Sequence, residues 1–235
     1  MSIERHVVAM GGGGFATGDP RLDRYVLDLV DATRPKICFV PTACGDDPLA
    51  VRRFFDAFPS QSFEPIHLDL FERRVADIGA FLGEQDVIYV GGGNTAGMLA
   101  VWRVHGVDAA LRRAWEAGVV CCGVSAGANC WFEASTTDSF LVGRSDPLLD
   151  GLGFVPGSFC PHYDGEPSRR PSYLRLIADG GLPPGYAADD HAAVHVVGTE
   201  VRAAIAAREG AGVYRVEPGP DGTAAEHPLP VVHLG

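Results

Sequence analysis

The stretch VVCCGVSAGANCWF (residues 119–132) decides the fold prediction, because in it an apolar run meets a helix-compatible segment at a serine between two glycines. Small and β-branched apolar residues fill 119–124, which is typical of a strand buried on both faces of a parallel sheet. Residues 123–127 match G-x-S-x-G, the motif that holds a nucleophilic serine on a strained turn between strand and helix. Ser125 is therefore a candidate nucleophile. A small residue that merely packs between two buried elements is the alternative at this point.

The segments before this stretch alternate between short apolar runs and amphipathic runs. We predict strands at 6–10, 36–40, 64–70 and 86–90, and helices at 22–30, 48–58, 75–82, 95–104 and 107–117. Such alternation implies right-handed crossovers and a mostly parallel sheet with helices on both faces.

The pattern weakens after about residue 134. We expect a helix near 169–179, a strand pattern in 186–198 and short antiparallel strands at the sheet edge near the end. With no repeat, long linker or change of composition, residues 1–235 are predicted to form one α/β domain.

Composition excludes several classes of protein. A net charge of −11 over 235 residues, with a pI near 5.1, provides no basic face for nucleic acid. No apolar run reaches the roughly 20 residues of a membrane span, and the first residues lack the pattern of a secretory signal. Six cysteines, two of them adjacent inside an apolar run (121–122), indicate reduced thiols in a cytoplasmic protein.

Two glycine-rich turns follow predicted strands. In MGGGGFATGDP (10–20), Gly11, Gly13 and Ala16 fit a dinucleotide-binding spacing. However, no acidic residue ends the second strand and the chain has no P-loop, so we expect no nucleotide cofactor. In VGGGNT (90–95), bare N–H groups at a strand's carboxyl end provide half of an oxyanion hole, or simply a tight turn before a helix.

A nucleophilic serine needs a base and an acid that orients the base. Among eight histidines, His162 in SFCPHYDG ranks first because it follows an apolar run and opens a polar loop. The residues leave the acid undecided; the carboxylates near the ends of the later strands are Asp138, Asp164, Glu166, Asp189 and Asp190. Cys160 and His162 have no second pair at ligand spacing, so no metal is expected.

Three motifs in this order, YVGGGNT, GVSAGAN and CPHYDG, resemble the peptidase E family of serine peptidases. That family includes aspartyl dipeptidases and is related to cyanophycinases. The resemblance implies a fold like that of class I glutamine amidotransferases: a flavodoxin-like three-layer sandwich with a mostly parallel central sheet and a serine at the elbow.

The resemblance also implies roles for individual residues. Ser125 matches the nucleophile and His162 the general base, while the N–H groups of Gly93 and Ala126 match the oxyanion hole. The family's acid, usually glutamate, precedes a late strand, where Asp190 fits this chain. Asp138, in STTD, is the alternative acid.

Substrate specificity is less well defined by the sequence. A small peptide is the expected substrate, with Asn94, Arg169 and Arg170 as candidate binding residues; arginine is the side chain that best holds a substrate carboxylate. The helix that carries the two arginines can equally be a solvated surface. Asp-X dipeptides are one expectation. A family member with another amide substrate, or with a binding or regulatory role, is the alternative.

An α/β-hydrolase-type esterase is a further alternative, but the order Ser125, His162, Asp190 disfavours it, because in those enzymes the acid precedes the histidine. Exposed edges in the C-terminal third make a homodimer an expectation as well.

Overall fold

Two β-sheets and the helices packed on them make up the fold of residues 3–235, the part of the chain that the computed structural model describes. The helices are α1 (Arg21–Leu27), α2 (Pro48–Ala57), α3 (Ile78–Gly83), α4 (Thr95–His105), α5 (Val107–Glu116), α6 (Ala126–Asn129) and α7 (Arg169–Ala178). The strands of the first half are β1 (His6–Met10), β2 (Lys36–Val40), β3 (Glu64–His67), β4 (Val87–Val90) and β5 (Val120–Val124). The later strands are β6 (Phe132–Thr137), β7 (Asp146–Leu148), β8 (Val155–Cys160), β9 (Gly185–Ala188), β10 (Ala192–Val197), β11 (Glu200–Ala206), β12 (Val213–Pro218), β13 (Ala224–Pro228) and β14 (Val231–His233).

The first sheet has eight strands in the order β14-β11-β10-β1-β5-β4-β2-β3. From β1 to β3 all neighbouring strands are parallel, as the alternation of strands and helices predicts. Strand β5 lies in the middle, and all five of its residues are buried, which explains its run of small apolar side chains. The α/β fold class with a mostly parallel central sheet is confirmed.

Apolar side chains cover both faces of this sheet. One face packs against α3, α4 and α5 through buried residues such as Trp102, Leu111 and Trp115. The other packs against α1 and α2, where Phe39, Phe54 and other aromatic rings meet. A parallel sheet with helices on both faces gives the three layers that the sequence predicts.

A second sheet of six strands, in the order β13-β12-β9-β8-β6-β7, was not predicted. The expectation that the last strands lie at the edge of the central sheet is correct only for β14, which pairs with β11; β12 and β13 belong to the second sheet. The predicted strand pattern of 186–198 is in fact two strands, β9 and β10, in different sheets. The chain turns between them at residues 189–191, where His191 has a φ of 65°. This turn places Asp190 beside the carboxyl end of β1, where it bridges to Gly12.

Of the helices in residues 3–235, none combines the length and apolar character that a membrane span requires.

Candidate active site

Ser125 lies on a strained turn at the carboxyl end of β5. Its φ of 58° and ψ of −114° fall outside the regions that side chains with a Cβ prefer, a conformation that costs on the order of 1–3 kcal/mol. The flanking glycines make the turn sterically possible: a Cβ on Gly123 would collide with the backbone of Gly127, and a Cβ on Gly127 with the carbonyl of Val90. The close approach of strand, turn and helix therefore explains both glycines of the motif.

His162 and Asp190 meet beside this turn. The ring Nδ1 of His162 and Oδ1 of Asp190 are 2.6 Å apart, and this hydrogen bond lowers the pKa of the Asp190 carboxyl below its usual value. An ionised Asp190 accepts a hydrogen bond from Nδ1–H of His162, and in this tautomer of the neutral ring Nε2 carries the free lone pair. The pair therefore has the arrangement of an oriented general base.

The backbone around this pair is held in place by further contacts. The N–H of His162 donates to the carbonyl of Gly11 (3.2 Å), and the N–H of Asp190 donates to the Asp164 carboxylate (2.8 Å), which Arg208 also contacts. From the sequence, Asp164 was one of five candidate acids. In the structure it positions Asp190 and is itself paired with a cation.

Asp189, the neighbouring carboxylate, faces away from the histidine. It is buried and accepts a hydrogen bond from the N–H of Gly212 at 2.8 Å, and its burial raises the pKa of its carboxyl. The two carboxylates of this Asp-Asp pair therefore have different partners, and only Asp190 reaches His162.

A cavity of about 450 Å³ contains Ser125, His162 and Asp190 in its lining. Its remaining walls are formed by residues of the glycine-rich loop 12–17 and of the turn 91–92, and by Phe39, Cys44, Asp47, Ala50, Arg53, Val124 and His191. This volume lies within the range of small-molecule sites in proteins. Of these lining groups, sequence reasoning missed His191 and the contribution of α2, because nothing local in the sequence marks them as neighbours of Ser125.

Backbone strain concentrates at this cavity. Five non-glycine residues in 3–235 have positive φ, and three of them, Ser125, His162 and His191, line the cavity. Strained backbone of this kind clusters at functional sites. A larger cavity of about 870 Å³ lies between α1 and α2, but no histidine lines it, so its hydroxyl residues Thr33 and Ser62 have no imidazole base beside them. The smaller cavity is therefore the candidate active site.

The serine and the histidine lie in the same cavity without a direct bond. Within residues 3–235, Ser125 Oγ has no hydrogen-bond partner within 3.5 Å, and the only side-chain hydrogen bond of the His162 ring is with Asp190. Catalytic hydrogen bonds are often long in free enzymes and tighten when substrate binds. Both side chains line the cavity, so a molecule bound there can contact both.

Free N–H groups surround Ser125. Ala126 is the first residue of α6, so its N–H has no partner within the helix. In the described chain the N–H groups of Gly92 and Gly93 also donate to no other group. A Cβ on Gly92 would lie 3.4 Å from Ser125 Cβ, so this turn directly adjoins the serine. Gly93, whose φ is 138°, packs on the carbonyl of Ala43.

The alternative acid, Asp138, lies apart from His162 in this structure. Its carboxylate is 3.5 Å from Arg169, whose guanidinium also contacts Glu166 at 2.5 Å and is buried. Two carboxylates therefore hold the charge of Arg169, and the structure does not bring this arginine to the cavity.

The other two candidate binding residues also lie outside the cavity lining. Arg170 donates to Glu226 at 2.9 Å and stacks over the rings of Tyr163 and Tyr214. Asn94 caps α4 by accepting the N–H of Gly97 and donates to the carbonyl of Ser139. Intramolecular partners thus occupy the polar groups of both side chains.

No group of three or more His, Cys, Asp or Glu side chains in residues 3–235 is placed to hold a metal ion. The six cysteines form no disulfide, and five of them are buried. Only Cys44 is exposed, at the cavity.

The fold and the site define a class: a flavodoxin-like α/β protein whose candidate nucleophile lies on a strained strand-to-helix turn. The model of peptidase family S51 matches residues 7–204. The chain therefore belongs to peptidase family S51, and the resemblance to peptidase E drawn from its three motifs is confirmed.

Relatives of this chain carry peptidase names. It is 47% identical over 235 residues to the uncharacterized peptidase YgaJ of Bacillus subtilis, covering 98% of this chain and 100% of that protein. It is 30% identical over 145 residues to peptidase E of Streptomyces coelicolor, covering 59% and 57%. The crystal structure of a peptidase from an acI-B1 actinobacterium has the same fold, with a TM-score of 0.68 at 17% identity over 98% of this chain and 96% of that one.

Proposed function

We propose that this chain is a serine-type peptidase of small peptides, in which Ser125, His162 and Asp190 form the catalytic triad. The observation that carries the proposal is the 2.6 Å contact between His162 and Asp190 at the wall of the cavity that contains the strained Ser125. The proposed nucleophile, base and acid come from three separate segments of the chain. Their convergence on one cavity supports a catalytic triad over a purely structural role for the three side chains.

In the proposed reaction, Ser125 Oγ attacks the scissile carbonyl while Nε2 of His162 takes its proton. Asp190 holds the imidazole tautomer and stabilises the imidazolium that forms. The tetrahedral oxyanion accepts hydrogen bonds from the N–H groups of Gly93 and Ala126. His162 then donates its proton to the leaving amine, and the amine departs. Water next attacks the acyl-enzyme while His162 takes a proton from it, and His162 returns that proton to Ser125 Oγ as the acyl–oxygen bond breaks and the acid is released.

The nucleophile is tested by a fluorophosphonate probe together with a panel of dipeptides that includes Asp-X. We expect the probe to label Ser125 and the panel to contain a substrate. The variant Ser125→Ala should lose both labelling and turnover while keeping the wild-type circular dichroism spectrum. Wild-type turnover by this variant would exclude the proposed nucleophile.

The acid is tested by comparing Asp190→Asn with Asp138→Asn. We expect Asp190→Asn to lower kcat by about 10⁴-fold, as in other triads. Asp138→Asn should leave kcat within a few fold, because Arg169 keeps its contact with Glu166. The reverse order of effects would assign the acid to Asp138.

A second candidate function is a binding or regulatory role on the same scaffold. The lack of a hydrogen bond between Ser125 and His162 favours it. Probe labelling of Ser125 without turnover of any peptide or acyl ester would support this second function. For either role we propose a cytoplasmic location, since all six cysteines are free thiols.

A further inference from the structure

The larger cavity, between α1 and α2, has the volume and the walls of a small-molecule site. Its volume of about 870 Å³ lies within the range of such sites. Apolar side chains form most of its wall, among them Phe15, Leu27, Val30, Phe58 and Phe63. The ring centroid of Phe58 lies 5.9 Å from that of Phe15 and 5.6 Å from that of Phe63. The cavity therefore presents a largely aromatic surface to an apolar molecule.

One buried carboxyl group lies in this apolar wall, that of Asp23. Among the side chains of residues 3–235, only Tyr89 hydrogen-bonds to it, at Oδ1 and 3.0 Å, so Oδ2 has no side-chain partner. The N–H of Phe15 is the other polar group beside it. Its oxygens therefore have acceptor capacity that the described side chains do not fill.

No cation of the described chain pairs with Asp23. The next residue, Arg24, lines the exposed part of the same cavity and forms no salt bridge with it. Buried aspartates are rarely left without a cationic partner, because an isolated carboxylate is costly to remove from water. Burial accordingly raises the pKa of the Asp23 carboxyl to about 7. A ligand that carries a cation into the cavity would stabilise the ionised form of this group.

We propose that the cavity between α1 and α2 binds a hydrophobic primary amine, whose ammonium group donates to Asp23 and whose apolar body packs on the aromatic wall. An ammonium is a compact charge with three donors, and its hydrogen bonds to a carboxylate are about twice as strong as neutral ones. The apolar surroundings strengthen this attraction relative to water. Asp28, the other carboxylate of the wall, is exposed, so solvent screens its attraction for the same cation.

This site is separate from the one proposed for catalysis, although the two adjoin. Phe15 lines both cavities, whereas Ser125, His162 and Asp190 line only the smaller one. Binding of an amine at Asp23 does not require that Ser125 be a nucleophile. Because the smaller cavity has its own carboxylate in Asp47, the test must show which cavity holds the amine.

Isothermal titration calorimetry at pH 8 with 4-phenylbutylamine and its neutral counterpart 4-phenylbutanol tests the proposal. At this pH the Asp23 carboxyl is mostly ionised and the amine, like a lysine side chain, is protonated. We expect the amine to bind wild type more tightly than the alcohol does. Asp23→Asn should raise Kd of the amine by about 10- to 100-fold, the range for a hydrogen bond to a charged group, and leave Kd of the alcohol within about twofold.

Three further variants locate the ligand. Ala57 is exposed and lines the cavity, so Ala57→Trp fills the space without disturbing the core and should weaken binding of both compounds. Asp28→Asn and Asp47→Asn remove one carboxylate from the larger and the smaller cavity, respectively, and should leave Kd of the amine within about twofold. No binding of the amine by wild type at millimolar concentration, an unchanged Kd in Asp23→Asn, or a greater loss in Asp47→Asn than in Asp23→Asn would overturn the proposal.

Discussion

Asp23 of α1 is a buried carboxyl group whose charge state should control stability. It is 4% exposed, and its Oδ1 accepts a hydrogen bond from the hydroxyl of Tyr89 at 3.0 Å, beneath the loop that carries Gly14 and Phe15. Burial raises the pKa of the Asp23 carboxyl from 3.8 to about 7, and the hydrogen bond from Tyr89 opposes only part of that rise. The carboxyl group therefore stays protonated in the folded protein up to neutral pH.

The sign of the effect follows from which state holds the proton. Between pH 4 and 7 the folded state keeps a proton that the unfolded chain releases, so the free energy of unfolding falls as pH rises through this window. The pKa difference corresponds to about 4 kcal/mol in the free energy of unfolding, and the folded protein has lost all of this stability by about pH 8. An asparagine keeps an acceptor for Tyr89 and cannot ionise. Asp23→Asn should therefore be about 3 kcal/mol more stable than wild type at pH 8, after about 1 kcal/mol for imperfect hydrogen bonding.

Urea unfolding followed by tryptophan fluorescence at pH 4, 6 and 8 measures this difference, because Trp102, Trp115 and Trp131 are all buried. The difference in free energy of unfolding between Asp23→Asn and wild type should be small at pH 4, larger at pH 6 and largest at pH 8. Asp28→Asn removes an exposed carboxylate from the end of the same helix and should keep the wild-type pH dependence. Parallel curves for Asp23→Asn and wild type would show that burial does not hold the Asp23 proton.

Two further predictions concern other groups. His195 is buried between Tyr25 and His6, and burial lowers its pKa from 6.5 to about 4. Between pH 6.5 and 4 the unfolded chain therefore binds a proton at His195 that the folded protein does not, so the stability of the wild type should fall relative to that of His195→Gln as pH is lowered. Urea unfolding should show that the difference in free energy of unfolding between the two proteins changes by about 2 kcal/mol from pH 7.5 to pH 4.5, once partial hydration is allowed for. A difference that does not vary with pH would refute the prediction. A Cβ on Gly12 would collide with Asp190 Oδ1 and lie 3.1 Å from His162 Nδ1, so Gly12→Ala should lower kcat by about 10²-fold or more without loss of folding. Gly83→Ala, where the new methyl group meets open space, is its control, and wild-type kcat for Gly12→Ala would mean that the pair is not needed.

Much of the fold could be predicted from the sequence, because steric preferences between residues close in the chain determine it. The buried run of β5 and the helix-compatible segment after it predict a strand, a turn and a helix because these preferences act over a few residues. The two glycines around Ser125 predict the strained turn for the same reason, since strand and helix backbone approach each other too closely there for a Cβ. The parallel sheet follows from the alternation of strands and helices along the first half of the chain.

Contacts between distant segments decided the rest. Asp138 and Asp190 were both candidate acids, because both lie near late strands. Asp190 contacts His162 because the chain leaves the second sheet and enters the first at residues 189–191. Arg169 reads as a free cation in sequence, but tertiary packing buries it against two carboxylates.

Conversely, Arg53 reads as an ordinary exposed residue of an amphipathic helix, and only the folded sheet brings it to the cavity of Ser125. Residue type and local spacing determine which side chains have the chemistry for a hydrolytic site. Only the tertiary structure determines which charged side chains in the cavity remain free for a ligand. The reason is that distant segments supply the ion-pair partners that neutralise the others.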